Sequence, residues 1–532
     1  MYLGDAQEVS LYHDGNNTYL NGGSGTGLMQ IKNTGGGDVE LYSNSNVKLR
    51  VNAGENAVVC NLNSSVDLYF DGGTYTTPKL KTSHYGITVD GEVASSQDYP
   101  NYRPTLDLNF ASVKKLDSRI TYSRTGAASY VDEKGIVKLV GDNVPRFNHD
   151  SVTRECKGLL LEETRTSLLT ASTGNDSTSH YQQTDQGETI TGPDGVENSA
   201  REYTANSNAS TGGSTTVWAN QAVGMANGIS MSCFVKITRG TSMAFRLYDN
   251  NNALYSEKIN LAGGVISDGS YATVSSTGGG TSSGTPGSTS WELYPNGWVR
   301  LKWEGTSHNA NGTSYIQLYI YDHANSNGSN VGYAVWGFQV EAGHWCTSVI
   351  PKPTIAAATR ESEYCFVDGE EFSDIYNQHQ GTLVSEFSIH DTTTLTSGAI
   401  ANINALSTNS YADSIMFMEI GTSSGYYGRV YKSSNGYSLT GNGNITTNGL
   451  MGGNNINKVS FAWSDTVVDE GLAAYRNGVL QNSIASEDRT PTNMTELRIG
   501  RGWSSSHINA DIRRLSYYTK RLPDSQLATL TS

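Results

Sequence analysis

The feature that most constrains this chain is strict alternation of apolar and polar side chains along several stretches. Over 229–237 the odd positions are Ile229, Met231, Cys233, Val235 and Ile237. Over 315–321, Ile316, Leu318 and Ile320 take one parity and Tyr315, Gln317, Tyr319 and Tyr321 the other. Over 334–340 the even positions are Ala334, Trp336, Phe338 and Val340, and 296–303 (Asn-Gly-Trp-Val-Arg-Leu-Lys-Trp) alternates in the same way. A period of two marks a strand with one buried face. Composition agrees: Gly numbers 58 and Tyr 31, and charged residues make up 16% of the chain, against roughly 25% in an ordinary soluble domain. The chain is poor in residues that sustain helices and rich in turn formers. An all-β protein is expected, and its 532 residues exceed what one hydrophobic core organises.

Charge narrows the partners. With 36 basic and 51 acidic residues the net charge is −15, which opposes nucleic acid and anionic lipid. No apolar run is long enough to cross a bilayer, and residues 1–5 lack the basic and apolar regions of a signal peptide. The five cysteines (Cys60, Cys156, Cys233, Cys346, Cys365) are odd in number and widely spaced. They read as free thiols of a chain folded in a reducing cytosol rather than as a disulfide framework.

Residues 1–97 carry an imperfect repeat. Its phrase recurs as Ser10-Leu11-Tyr12-His13-Asp14-Gly15, Glu40-Leu41-Tyr42-Ser43-Asn44 and Asp67-Leu68-Tyr69-Phe70-Asp71-Gly72, with short alternating strands such as 47–51 and 87–89 between. So few apolar side chains per strand cannot offset chain entropy at about 25 cal/mol per Å² buried. The region needs further copies, and a homotrimer burying Leu11, Leu41, Val66 and Leu68 is expected.

These phrases, with Lys79-Leu80, Thr82 and Gly86-Ile87-Thr88-Val89, resemble the shaft repeats of tailed-bacteriophage fibre proteins. The ordered series Tyr122-Ser123-Arg124-Thr125, 130–136, 145–150 and 158–169 resembles the module that leads into a carbohydrate-binding-like jelly roll in such proteins. "Gly-Trp-Val-Arg-Leu" (297–301) with "Trp-Gly-Phe-Gln-Val-Glu-Ala-Gly" (336–343) matches that jelly roll. The ending "Ile-Arg-Arg-Leu-Ser-Tyr-Tyr" (512–518), preceded by 383–387, 459–463 and the Asn477-Gly478 hairpin signal, resembles a concanavalin-like (laminin-G-like) sandwich. The expected organisation is a repetitive β shaft (1–97), a linker and lead-in module (98–170), a jelly roll (171–360) and a terminal sandwich (361–532). The resemblance implies a virion protein of the tail or capsid, assembled in the host cytoplasm, whose partners are itself, other virion proteins and a bacterial surface glycan.

Motifs for chemistry are weak. Gly280/Ser282/Gly284 and Gly421/Ser423/Gly425 fit G-x-S-x-G, but neither sits between a buried strand and a helix, as a nucleophile elbow requires. No zinc spacing or P-loop occurs. Glu162/Glu163 and Glu370/Glu371 are adjacent in sequence, so they cannot face each other across a cleft as glycoside hydrolysis needs. They read as solvated or paired with local Arg residues. Cofactors are not implied; Asp249 with Asn250, and Asp322 with Asn325 and Asn327, give oxygen-rich loops without the spacing of a Ca²⁺ loop. The expected function is receptor binding without catalysis. The alternatives are a structural head fibre or decoration protein, and a polysaccharide-degrading tailspike, whose long β-helix this sequence lacks. Glycan contacts call for exposed aromatics beside neutral donors and acceptors. Tyr315, Gln317, Tyr319 and Tyr321 with Asp322 supply them in the jelly roll, and Tyr427, Tyr431 and Trp503 in the terminal sandwich. The competing reading is that these tyrosines pack against a neighbouring protomer.

Overall fold

Alternation becomes antiparallel hydrogen bonding almost everywhere, and the protein is all-β. The computed structural model describes residues 2–3, 9–22, 31, 33–36, 38–51, 54–70, 77–83, 86–89, 103–168, 184–205, 215–224, 229–239, 242–249, 252–261, 272–276, 288–304, 313–321, 332–343, 345–352, 357–390, 398–404, 413–420, 426–432, 435–440, 456–465, 471–484, 493–502 and 507–532, some strands as backbone only. Two units are present, Met1–Tyr99 and Pro100–Ser532.

In the first unit, Val9–His13 and Thr18–Gly22 form a hairpin. The turn is held by Asp14, whose Oδ1 accepts the backbone N–H groups of Asn16 and Asn17 at 2.9 and 2.7 Å. Leu11 stands opposite Leu20, and Tyr12 opposite Tyr19 with rings stacked at 4.9 Å. Both hairpin faces therefore carry apolar groups. A separate sheet orders Val47–Val51, Glu55–Cys60, Val66–Leu68, Leu80–Ser83 and Gly86–Val89. Its register aligns Leu49, Val58, Leu68 and Leu80 in one row and Val47, Cys60, Val66, Thr82 and Ile87 in the next on the same face. Lys48, Val59, Asp67 and Lys81 alternate onto the other face. The apolar rows stay open: Leu49 is 53% exposed, Leu68 40% and Ile87 67%. The repeat phrase around Leu41 and Tyr42 is exposed and lies outside any strand.

The second unit holds two sandwiches. In the terminal one, a seven-stranded sheet runs Thr121–Ser123, Tyr364–Asp368, Glu496–Ile499, Gly398–Asn404, Asp413–Ile420, Tyr426–Lys432, Asn435–Thr440. It faces an eight-stranded sheet running Phe147–His149, Cys156–Leu161, Ala510–Tyr518, Gln380–Ile389, Asn457–Ser464, Leu472–Arg476, Val479–Ile484, with Leu106–Leu108 beside Ala510–Tyr518. One core joins them: Val367, Ile403, Val430 and Leu497 from the first meet Leu383, Phe461, Ile512 and Leu515 from the second. The approach is close enough that a Cβ on Gly428 would lie 2.1 Å from the Phe461 ring. Asn477 and Gly478 take φ of 46° and 79°, as a two-residue type I′ turn requires.

The jelly-roll sheet runs Thr184–Ile190, Ala200–Ala205, Gly332–Ala342, Ile229–Arg239, Val299–Glu304, Ser288–Leu293, and a five-stranded sheet runs Thr215–Gly224, Thr313–Tyr321, Ser242–Asp249, Asn252–Leu261, Ala272–Ser276. Residues 98–170, set apart in the sequence reading as a linker and lead-in module, instead give the terminal sandwich four of its strands. Leu106–Leu108 and Cys156–Leu161 both pair with Ala510–Tyr518, Phe147–His149 pairs with Cys156–Leu161, and Thr121–Ser123 pairs with Tyr364–Asp368. The jelly roll is thus an insertion in the terminal sandwich. Arg165–Ser167 leads into it and Ala358–Arg360 leads out, paired side by side.

A second difference concerns 334–340. Trp336 stands opposite Phe234 and Val340 opposite Met231, with a register shift between, where Gly337 takes φ of 60°. Positions 231 and 234 point to opposite faces, so the expected single face Ala334–Trp336–Phe338–Val340 is broken by a bulge. Both faces of this sheet are buried, which is why both parities carry core residues: Met231, Cys233 and Val235 on one, Phe234 and Trp336 on the other.

Candidate functional site

Where the jelly roll meets the strands that flank its insertion, five ionisable side chains are buried together. Arg146 donates through Nη1 to Glu162 Oε2 at 2.6 Å, to Ser348 Oγ at 2.7 Å and to Ser129 O at 2.9 Å, and through Nη2 to Glu363. Arg360 approaches Glu162 at 3.1 Å, and Arg124 approaches Glu363 at 3.6 Å. Ser348 completes the shell of Glu162, its N–H reaching Oε1 at 2.7 Å and its hydroxyl Oε2 at 2.6 Å. Burial raises the Glu162 pKa, but Arg360, Arg146 and the Ser348 donors outweigh it and hold the carboxyl below the usual range. Glu162 is therefore buried rather than solvated. Glu163 pairs with Arg165 at 2.5 Å, as local pairing required.

Beside this lattice lies a cavity of about 250 Å³. One wall is the inner face of the jelly-roll sheet, where Phe234, Arg300 and Glu292 are direct cross-strand neighbours and Lys302 follows two residues on. Arg300 lies 5.7 Å from the Phe234 ring centroid and donates to Ser232 Oγ at 3.1 Å and to Thr347 O at 2.5 Å. Tyr294 O–H donates to Glu292 Oε2 at 3.1 Å, and Lys302 pairs with Glu292 Oε1. The opposite wall brings His149, Asp150 and Lys157. A register shift between Asn148 and His149 sets His149 opposite Cys156. Lys157 lies 3.5 Å from Asp150. The terminal sandwich adds Asn509 and His390, the latter 2.9 Å from the buried Asp511.

The carboxyls lining this cavity share one property. For Glu292, burial raises the pKa, but the charges of Lys302, Arg300 and Lys157 pull it below the usual range. For Asp150, burial is likewise outweighed by the backbone donors of Thr153 and Val152 and by Lys157. Glu162 behaves the same way. None has the raised pKa of a general acid able to protonate a leaving group near neutrality. Among the described residues no group of three or more His, Cys, Asp or Glu could hold a metal ion, and no helix is long and apolar enough to cross a membrane.

Tyr315, Gln317, Tyr319 and Tyr321 lie on Thr313–Tyr321, the strand between Thr215–Gly224 and Ser242–Asp249, and Tyr427 and Tyr431 lie on Tyr426–Lys432. Their side chains are outside what the structure describes, as are Asp322, Trp503, Asn325, Asn327, Asn250 and both G-x-S-x-G segments. Asp249 ends its strand, again as backbone only. Asn509 and Asp511 are buried, Asp511 against His390 and Asn509 against Glu163. Sequence reasoning missed the cavity. Its signal was Arg300 and Lys302 in a strand whose neighbours on both sides are core residues.

No protein-family model and no curated protein matches this chain. Among solved structures it is similar to the CBM40 domain of a Ruminococcus gnavus IT-sialidase bound to α2,6-sialyllactose, at 15% identity and TM-score 0.25, over 29% of this chain and 85% of that one. It is also similar to the binding domain of botulinum neurotoxin serotype D/C, at 17% identity and TM-score 0.25, over 32% and 40% of the two chains. A leech intramolecular trans-sialidase gives 14% and 0.25 over 29% and 23%. Likenesses of this size assign neither a ligand nor a mechanism to this chain.

Proposed function

We propose that this chain is a bacteriophage tail fibre or receptor-binding protein, a homotrimer held through residues 1–110, that recognises a bacterial surface glycan without covalent chemistry. The observation that carries the reading is the open apolar face of the five-stranded sheet in residues 47–89. Leu49, Leu68 and Ile87 would each bury side chains worth about 1.5–3 kcal/mol if covered, and among the described residues of the first unit only Val59, Ser65 and Asp67 are fully buried. A unit with so little interior is stable when identical units close around a shared axis, which also removes its sheet edges. Light scattering of the intact protein should give a mass near three times 57.2 kDa at micromolar concentration, and a monomer there would refute the assembly.

The depressed pKa values of the cavity carboxyls support binding over hydrolysis. Capsule or lipopolysaccharide from a sensitive host should keep its length during prolonged incubation with the protein, as judged by sizing. Progressive shortening would make the protein a depolymerase instead. An intact trimer that binds no host cells or host polysaccharide would support a structural role on the virion.

A further inference from the structure

We infer that the cavity between jelly roll and terminal sandwich is the glycan site, and that it takes a single uncharged sugar ring through its hydroxyls; this rests on the glycan-recognition reading above. Three features of the lining carry it.

The first is that the charges of the lining are already engaged. Lys157 is matched by Asp150 and Glu162 by Arg146 and Arg360, while Glu292 pairs with Lys302 and stands opposite Arg300, whose guanidinium donates to Ser232 Oγ and Thr347 O. An ionised ligand would have to displace an existing pair to be neutralised, and a displaced buried charge costs more than the new contact returns. A hydroxyl both donates and accepts, so it can bond to a carboxylate oxygen and an ammonium of the same pair while leaving the pair intact.

The second is an unused acceptor. His149 lines the cavity and is only 3% exposed. Its Nδ1 lies 3.1 Å from Val131 O. A carbonyl can only accept, so Nδ1 is the donor, and in the neutral imidazole Nε2 is then the acceptor. That Nε2 is buried with no hydrogen-bond partner. An unpaired buried acceptor is costly, and a ligand O–H is a donor that would satisfy it.

The third is size and surface. About 250 Å³ lies just below the roughly 300–1,000 Å³ of pockets for drug-sized molecules, enough for one ring but not for a chain. Phe234 and Tyr294, in contact at 4.9 Å, give the same cavity an apolar part against which ring C–H groups can pack.

The test uses the full-length protein and ligand-observed NMR, with methyl glucoside, galactoside and mannoside, the N-acetylhexosaminides, and methyl glucuronide. At least one neutral glycoside should bind, with methyl glucuronide about tenfold weaker or worse. His149→Phe and Lys302→Met should each weaken that binding about tenfold, a typical loss for a hydrogen bond to a buried or charged group. Unchanged thermal transitions would confirm that the variants fold. Preferred binding of the glucuronide, or neutral binding untouched by both variants, would overturn the assignment. Host polysaccharide bound equally by wild type and variants would sink this site while sparing glycan recognition. No binding of either glycosides or host polysaccharide would sink both.

Discussion

Replacing Arg146 with methionine should destabilise the second unit by about 3–5 kcal/mol, the usual consequence of removing one member of a buried ion pair. The side chain is fully buried and reaches Glu162, Glu363, Ser129 O and Ser348. Methionine fills similar volume, so the loss is electrostatic: Glu363 keeps Arg124 at 3.6 Å as its cation and the Glu162 N–H at 2.8 Å, and Glu162 keeps Arg360 at 3.1 Å. The measurement is the denaturant midpoint of the unfolding transition of residues 100–532. Its pH dependence identifies the cause. Glu162 is held below its ordinary value of 4.5, so its stabilising contribution is complete above that pH and fades as pH falls further. The deficit of Arg146→Met should therefore be largest at neutral pH and shrink under acid conditions. A deficit below about 1 kcal/mol, the range of exposed pairs, would mean that the lattice is hydrated and does not clamp the jelly roll to its frame.

That lattice shows which parts of the protein were legible in sequence. Cys233 among Ile229, Met231, Val235 and Ile237 was legible as core, because period two needs only neighbours along the chain. The turn at Asn477 and Gly478 was legible for the same reason. The membership of residues 106–161 in the terminal sandwich was not. Leu106–Leu108 is three residues long, and its partners Leu515, Ser516 and Tyr517 lie some 400 positions away. Arg124, Arg146 and Glu162 stood in quoted phrases, but nothing local distinguishes an arginine bound for solvent from one bound for a buried carboxylate 217 residues on, as Arg146 is to Glu363. The Gly337 bulge was hidden because a glycine within an alternating run leaves parity formally intact while the backbone breaks it. The cavity inherits all three obscurities, since its walls come from segments that only long-range pairing brings together.

Gly158→Ala should be nearly as damaging, at about 4 kcal/mol, and should remove glycan binding as well. Gly158 takes φ of +108°, where a Cβ is strained by about 1–3 kcal/mol. The same Cβ would lie 2.0 Å from Ile512 O and 2.7 Å from Arg513 Cα, an overpacking that costs about 1–3 kcal/mol more. Backbone rather than a flexible side chain is in the way, and it cannot yield. Ala510–Tyr518 is held by Cys156–Leu161 on one side and by Gln380–Ile389 on the other. The damage must therefore pass to Cys156–Leu161, and this strand positions the site. Gly158 stands opposite Asn148, next to the register shift that places His149 on the cavity wall. Gly141→Ala is the matching control, because a Cβ there meets nothing within 4 Å, and it should stay within about 0.5 kcal/mol of wild type. Equal denaturation midpoints for the two variants would show that Cys156–Leu161 can move away from Ala510–Tyr518 at little cost, and the rigid frame assigned to the cavity would then be wrong.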